Sequence, residues 1–178
     1  MKNILYLSYD GLTDPLGQSQ ILPYLCGLTF NENYKITIIS FEKPSNYIEN
    51  KNLILSITKK NNVRWIPLKY SKRPPILSTI WDLYQLNKLI KKLIKEGIHL
   101  IHCRSYITSL VALKIKKKHK TPFIFDMRGF YADERIDGKI WYKNHYIFKH
   151  IYDFFKKKEK EFLTHANHTI SLTYNGKK

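Results

Sequence analysis

The sequence predicts an α/β fold: a doubly wound parallel sheet of about six strands with helices on both faces. Three observations carry it. Short, β-branched apolar runs recur along the 178 residues and alternate with longer helical segments, the pattern of strands buried in a parallel sheet. The first run is joined to the first helix by a polar loop, DGLTDPLGQSQ (Asp10–Gln20), with two glycines, a proline and two aspartates. Open α/β sheets bind ligands at such loops, where a helix N-terminus offers unpaired N–H groups to an anion. Finally, no apolar run reaches the roughly 18 residues of a membrane span.

Strand one is expected over Asn3–Tyr9. Helix one follows from about Ser19 to Phe30, because Pro23 is tolerated only near a first turn. Asn31-Glu32-Asn33 breaks it. Strand two is Lys35–Phe41, ended by Glu42-Lys43-Pro44. A helix over Ile48–Lys60 leads through Asn61-Asn62 to strand three, Val63–Leu68, where Pro67 points to an edge position. Lys69–Pro75 (KYSKRPP) is a basic, extended loop. Ile76–Glu96 is the clearest helix. Ile80, Leu83, Leu86, Ile90 and Leu93 recur at helical spacing, Lys88, Lys91, Lys92 and Lys95 fill the other side, and Gly97 ends it.

Strand four is Ile98–Cys103, followed by a helix over Ser105–Lys118 whose terminal lysines suit its dipole. Phe123–Met127 is strand five and Arg128–Gly138 a charged loop. A long helix over Trp141–His165 leads to strand six, Thr169–Leu172, and a terminal turn, Thr173–Lys178. No internal repeat or linker interrupts the order. Right-handed crossovers favour the strand order 3-2-1-4-5-6. The loops after strands one, four and five are then expected to flank one crevice.

These loops hold the candidate functional residues. The first brings Asp10, Gly11, Asp14, Gly17 and Ser19. The second brings His102, Arg104, Ser105 and Tyr106, and the third Asp126, Arg128, Asp133, Glu134 and Arg135. Arginine recognises phosphate or carboxylate through two parallel N–H bonds. Only five of the 31 basic residues are arginines, so Arg104 and Arg128 behind two strands are stronger signals than the lysines. Seven histidines form no metal pattern: His145 with His150, and His165 with His168, read as solvated or capping groups. No P-loop, nucleophile elbow or zinc signature appears. The first loop is not G-x-G-x-x-G, although Glu42 at the end of strand two keeps a dinucleotide reading open.

The formal net charge of +17 points to an anionic partner. The excess is nearly all lysine, in a chain also rich in Ile and Asn, a bias that an AT-rich coding sequence also produces. Cys26 and Cys103 show no metal or redox spacing and read as buried free thiols of a reducing compartment.

The chain resembles the N-terminal half of retaining glycosyltransferases of the GT-B fold, of the family-four type. The resemblance is carried by ILYLSYDGLTDPLGQSQILPYL at 4–25, ITIISFEKP at 36–44, IHLIHCRSY at 98–106, PFIFDMRGFYADER at 122–135 and EKEFLTHANHTISLT at 159–173. It implies a Rossmann-like, acceptor-side domain, one half of a GT-B fold, in an enzyme that builds cell-surface polysaccharides or glycolipids. The partner half, implied on the C-terminal side, binds the nucleotide-sugar donor through a pair of glutamates. Transfer retains anomeric configuration and needs no metal or other cofactor.

The resemblance implies that the first loop, with Asp10, Gly11 and Gly17, approaches the donor's phosphates and sugar. Many members carry a histidine just after strand five; the spacing from Pro122 places Arg128 there, followed by Gly129. Arginine cannot serve as a base at neutral pH, but it can stabilise a phosphate or an acceptor oxygen. Arg128, positioned by Asp126, is therefore the expected catalytic residue, and Arg104 and Glu134 are expected to contact sugar or phosphate. With no candidate for the donor glutamates, residues 1–178 are expected to form a single acceptor-side domain, inactive by itself, its donor half supplied in cis or by a partner.

Two further readings follow from charge. The lysine face of Ile76–Glu96 and the Lys156-Lys157-Lys158 run suit a peripheral contact with an anionic membrane, placing the protein in the cytoplasm at the inner face of the cell membrane. A nucleic-acid-binding role has no recognition motif behind it, and nucleic acid is not an expected partner.

Overall fold

A computed structural model of the chain describes residues 1–30, 33–142 and 145–173. Three sequence readings lie partly outside this range: the break at Asn31–Glu32, the stretch Lys143–Asn144 of the long helix, and most of the terminal turn.

The elements are β1 (Lys2–Ser8), α1 (Leu22–Thr29), β2 (Tyr34–Glu42), α2 (Pro44–Lys60), β3 (Val63–Lys69), α3 (Leu77–Ile94), β4 (Leu100–Arg104), α4 (Ser105–His119), β5 (Phe123–Asp126), α5 (Tyr131–Asp137), α6 (Tyr146–His165) and β6 (His168–Ile170). The six strands form one parallel sheet in the order β3-β2-β1-β4-β5-β6, the order the crossover rule favours. The chain divides into two units, Met1–His102 and Cys103–Lys178.

In the first unit β2 is buried without a break from Ile36 to Glu42, as a strand covered on both faces must be. It pairs in register with β1, Ile36 against Ile4 and Ile38 against Tyr6, and with β3, Ile38 against Trp65. Pro67 sits in β3, which ends the strand order and so tolerates the missing N–H. Tyr6, Ile36, Ile38, Leu25, Ile54 and Val63 are the centre of the core. Each fully buried Ile or Leu here contributes about 1.5–3 kcal/mol.

Helix α2 starts at Pro44, earlier than the expected Ile48. Lys43 is extended (φ −73°, ψ 133°) and Pro44 takes the first helical position, where its absent N–H costs nothing. Helix α3 buries Ser78, Asp82, Leu86, Ile90 and Leu93. Ile80, expected on the same apolar face, is instead 57% exposed. Gly97 follows at φ +84° and donates its N–H to the Ile94 carbonyl, the expected helix stop.

In the second unit the charged stretch after β5 is not all loop. Tyr131–Asp137 forms α5, with Asp133 and Glu134 in its first turn and Arg135 in its last, an arrangement that complements the helix dipole. The following helix starts at Tyr146 rather than Trp141. Tyr106 is fully buried at the centre of an aromatic cluster: its ring lies 5.2 Å from Phe125, 6.1 Å from Phe162 and 5.5 Å from Tyr131, the last stacked. Both cysteines are free, and burial pushes the Cys103 thiol above its ordinary pKa.

In the Lys156-Lys157-Lys158 run, expected with the lysine face of Ile76–Glu96 to meet lipid, two of the three lysines are engaged in ion pairs. Lys156 bonds Glu159 at 2.7 Å and Asp133 at 2.9 Å, and Lys158 bonds Glu161 at 2.7 Å. Lys117 of α4 also bonds Glu161, at 2.8 Å. Hydrogen bonds from Lys117 and then Lys158 hold the Glu161 carboxyl down from 4.5 to about 2. A depressed carboxyl stabilises the fold above its unfolded pKa and loses that contribution as pH falls through the folded one. The Glu161 link between α4 and α6 is thus expected to be intact above about pH 4.5 and to weaken toward pH 2. An NMR titration of the Glu161 side chain checks this: the midpoint should lie near 2 and move up in Lys117→Met, whereas an ordinary midpoint in the native chain would contradict it.

Candidate functional site

The candidate residues fall in segments at or just after the carboxyl ends of β1, β4 and β5. In the first unit these are Asp10, Gly11 and Gly17. Arg104, Asp126, Arg128 and Glu134 belong to the second.

The first loop is built around a carboxylate for which sequence reading had only left a ribose contact open. Glu42, at the end of β2, is 3% exposed. One oxygen accepts the Leu12 N–H at 2.8 Å and the Ser40 hydroxyl at 2.5 Å. The other accepts the Thr13 N–H at 3.0 Å and the Thr13 hydroxyl. Only a carboxylate, with acceptors and no donor, can receive all four. Ser40 in turn accepts the Trp65 indole N–H at 2.8 Å. Glu42 therefore spends its oxygens on the loop, and nothing in this arrangement reserves it for a ribose.

Both glycines serve close packing of the same loop. A Cβ on Gly11 would lie 2.7 Å from the Glu42 carboxylate and 3.0 Å from the Phe41 carbonyl oxygen. A Cβ on Gly17 would overlap the Gly11 carbonyl oxygen and lie 2.6 Å from the Leu12 Cα. Gly17 opens a π-helical turn, Gly17–Ile21, that runs into α1, and its bare Cα lets that turn rest on the loop. Asp14 is buried and accepts from Lys43 Nζ at 2.7 Å and Asn46 Nδ2 at 2.5 Å, tying the loop to the start of α2. The hydrogen bond to Asp14 raises the Lys43 ammonium above its ordinary pKa. Ser8 donates to the Asp10 carbonyl oxygen at 2.8 Å and accepts the Asp10 N–H at 3.1 Å. Asp10 itself is exposed.

In the second unit Arg104 is the last residue of β4 and only 6% exposed. The next residue, Ser105, has φ +69°. Asp126 ends β5, is 5% exposed, and Arg128 two residues later has φ +60°. Backbone held in the left-handed region at a non-glycine residue costs of order 1–3 kcal/mol and concentrates at functional sites. Two of the three candidate segments carry such a residue. Gly129 follows at φ +147°, and a Cβ there would meet the Glu134 carboxylate, so that acid lies over the Arg128-Gly129 turn.

Sequence reading missed the network that fixes α5 behind this turn. Tyr106 donates to Glu159 Oε2, Lys156 bridges Glu159 to Asp133, and Tyr152 donates to Asp133 at 2.7 Å. Burial alone would lower the Lys156 ammonium, but its bonds to Glu159 and Asp133 outweigh that and raise its pKa. The available signal was spacing: Phe155, Glu159 and Phe162 share one buried helical stripe, hidden inside a lysine-rich run. Among the described residues, no three of His, Cys, Asp and Glu converge as a metal-binding group.

Comparison with solved structures finds the same fold in one protein over nearly the whole chain. No curated protein sequence matches the chain. Among solved structures, a UDP-N-acetylglucosamine 2-epimerase candidate from Listeria monocytogenes overlays 99% of this chain at TM-score 0.54 and 10% identity. The chain spans 41% of that protein. MurG of Acinetobacter baumannii (TM-score 0.47, 9% identity) aligns over 75% of this chain and 38% of its own. A UGT transferase of Siraitia grosvenorii, solved with UDP (0.49, 14%), aligns over 76% and 32%.

The loop's rigidity is testable. Glu42→Gln places an N–H₂ against donors and should destabilise the chain by about 1–3 kcal/mol, read as a lower urea midpoint with faster amide exchange over residues 10–20. Gly17→Ala forces backbone apart and should cost about 1–3 kcal/mol as well, whereas Gly27→Ala, where a Cβ meets nothing within 4 Å, should be near neutral in the same titration.

The profile of Glycosyltransferase Family 4 matches residues 29–177, from the end of α1 through β6, and the chain belongs to that family.

Proposed function

We propose that the chain is the acceptor-side domain of a larger transferase, which moves a sugar from a nucleotide-sugar donor to a polysaccharide or glycolipid acceptor at the inner face of the cell membrane. Transfer proceeds with retention and without a bound metal. The observation that carries the reading is the family match over residues 29–177. The geometry around Arg128 supports it: a cation that is never a base, held in strained backbone directly behind a strand, with Glu134 over the adjoining glycine.

In this reading Arg128 stabilises charge on the leaving phosphate or the acceptor oxygen, with Asp126 positioning it. Arg104 and Glu134 contact sugar or phosphate. The loop from Asp10 through Gly11 to Gly17 presents backbone to the donor, and its internal hydrogen bonds make that backbone preorganised. The donor half comes from the same polypeptide or from a partner subunit, and this chain is inactive without it. Among the described residues no helix is long and apolar enough to cross a membrane; in this reading the contact with a lipid-linked acceptor is peripheral.

The test uses the protein isolated from its source cells with whatever carries the donor half. Supplied with a panel of nucleotide sugars and a membrane extract, it should release nucleoside diphosphate and label the extract, in the presence of EDTA, with the anomeric configuration of the donor. Arg128→Ala should lower turnover by about 10²–10³-fold with the fold intact. Unchanged turnover would remove Arg128 from the mechanism.

A further inference from the structure

Helix α3 has two apolar stripes, and its core contacts use one of them. At about 100° per residue, Ser78, Asp82, Leu86, Ile90 and Leu93 form the buried side. Leu77, Ile80, Trp81 and Tyr84 lie on the opposite side, at the i, i+3, i+4, i+7 spacing of a single face, and are 65%, 57%, 56% and 58% exposed. The Trp81 and Tyr84 rings stack at 5.7 Å with 26° between their planes. A Trp–Tyr pair standing on a helix surface is a costly exposure for a face that stays in water.

The charge around this face has one sign. Followed along the helix, the same outward stripe continues from Tyr84 into Lys88, Lys91 and Lys92, all exposed. Before the helix come exposed Lys69, at the end of β3, and exposed Lys72 and Arg73 in the loop. From Lys69 to Ile94 the only acidic residue is Asp82, which is fully buried and accepts from the Tyr9 hydroxyl at 2.9 Å and the Ser71 N–H at 3.1 Å. Six cations therefore border a four-residue apolar face with no exposed carboxylate among them.

We infer that this outer face of α3 is a docking surface for an anionic lipid bilayer. Leu77, Ile80, Trp81 and Tyr84 enter the headgroup–acyl boundary, and the flanking lysines and arginine meet the lipid phosphates. Aromatic rings with one polar edge favour that depth, and basic side chains reach the headgroups while their stems stay apolar. A protein partner of matching shape would need a dense acidic rim around an apolar pocket; a bilayer offers both layers at once. The inference gives the membrane-side placement proposed above a definite surface, but it does not depend on sugar transfer.

The experiment is vesicle flotation of the full chain, with phosphatidylcholine vesicles with and without phosphatidylglycerol. Binding is expected only to the anionic vesicles, and to fall as salt rises and the Debye length shortens from ~10 Å at 0.1 M to ~3 Å at 1 M. Trp81→Ala/Tyr84→Ala should abolish it, and Lys88→Glu/Lys91→Glu/Lys92→Glu should weaken it at least fivefold per charge, as an order of magnitude. Because these side chains are exposed, circular dichroism should show every variant folded. Brominated phosphatidylcholine mixed into the anionic vesicles should quench tryptophan emission in the native chain, and Trp81→Phe should lose that quenching.

No binding, binding indifferent to lipid charge, or binding unchanged in both sets of variants would overturn the inference. So would a concentration-dependent dimer that Trp81→Ala/Tyr84→Ala dissociates, since the face would then be covered by a second copy. Transferase activity is read separately, so loss of the sugar-transfer reading leaves the lipid result standing, and the reverse holds.

Discussion

The buried Glu42 carboxylate is the constraint on which the first unit's ligand-side edge depends. A polar loop after a parallel strand has backbone N–H groups that must find acceptors or face water. Here two successive N–H groups, from Leu12 and Thr13, end on one side chain. Hydrogen bonds to a charged group contribute about 1.5–3 kcal/mol each, so the loop is pinned at its midpoint. Gly11 and Gly17 then follow of necessity: with the loop drawn onto β2, no side chain fits at either position. Ser40 and Trp65 extend the same hydrogen-bond chain across β2 to β3, so the loop is tied to the middle of the unit.

The second unit solves the same problem with different groups. Its ligand-side turn after β5 carries strain at Arg128, and strain persists only where the surroundings over-determine it. The aromatic cluster around Tyr106 supplies the apolar part of that support. The Tyr106–Glu159–Lys156–Asp133–Tyr152 chain supplies the polar part. Both carboxylates of this network, Glu159 and Asp133, have two partners, as a buried or half-buried polar network requires. The short helix α5 is too small to be stable alone; it exists because this network and the aromatic rings fasten it to α4 and α6.

Lysine dominates the composition but not in one role. Lys43, Lys117, Lys156 and Lys158 are structural, each paired with a carboxylate at 2.7–2.9 Å. Those along α3 and its preceding loop stand in solvent beside an apolar face. The formal charge of +17 therefore overstates any single patch, and what distinguishes α3 is that no exposed acid occurs between Lys69 and Ile94, rather than the number of its lysines.

Fold class, strand order, most element types and the family were legible in the residues alone. These rest on period and punctuation: apolar runs, glycines, prolines and right-handed crossovers act locally and can be read locally. The same reading placed the candidate residues on the segments after β1, β4 and β5, because the ends of parallel strands are set by that topology. Which side chain meets which was a matter of tertiary packing. Glu42 read as a ligand group because the sequence shows an acid at a strand end, not the loop folded back onto it. Ile80 read as core because helical spacing identifies an apolar face without saying which of two apolar faces is covered. Asp133 and Glu159 lie far apart in sequence, and only the packing of α5 against α6 brings Lys156 between them, so spacing along the chain could place Glu159 on a buried stripe but not show which groups it meets.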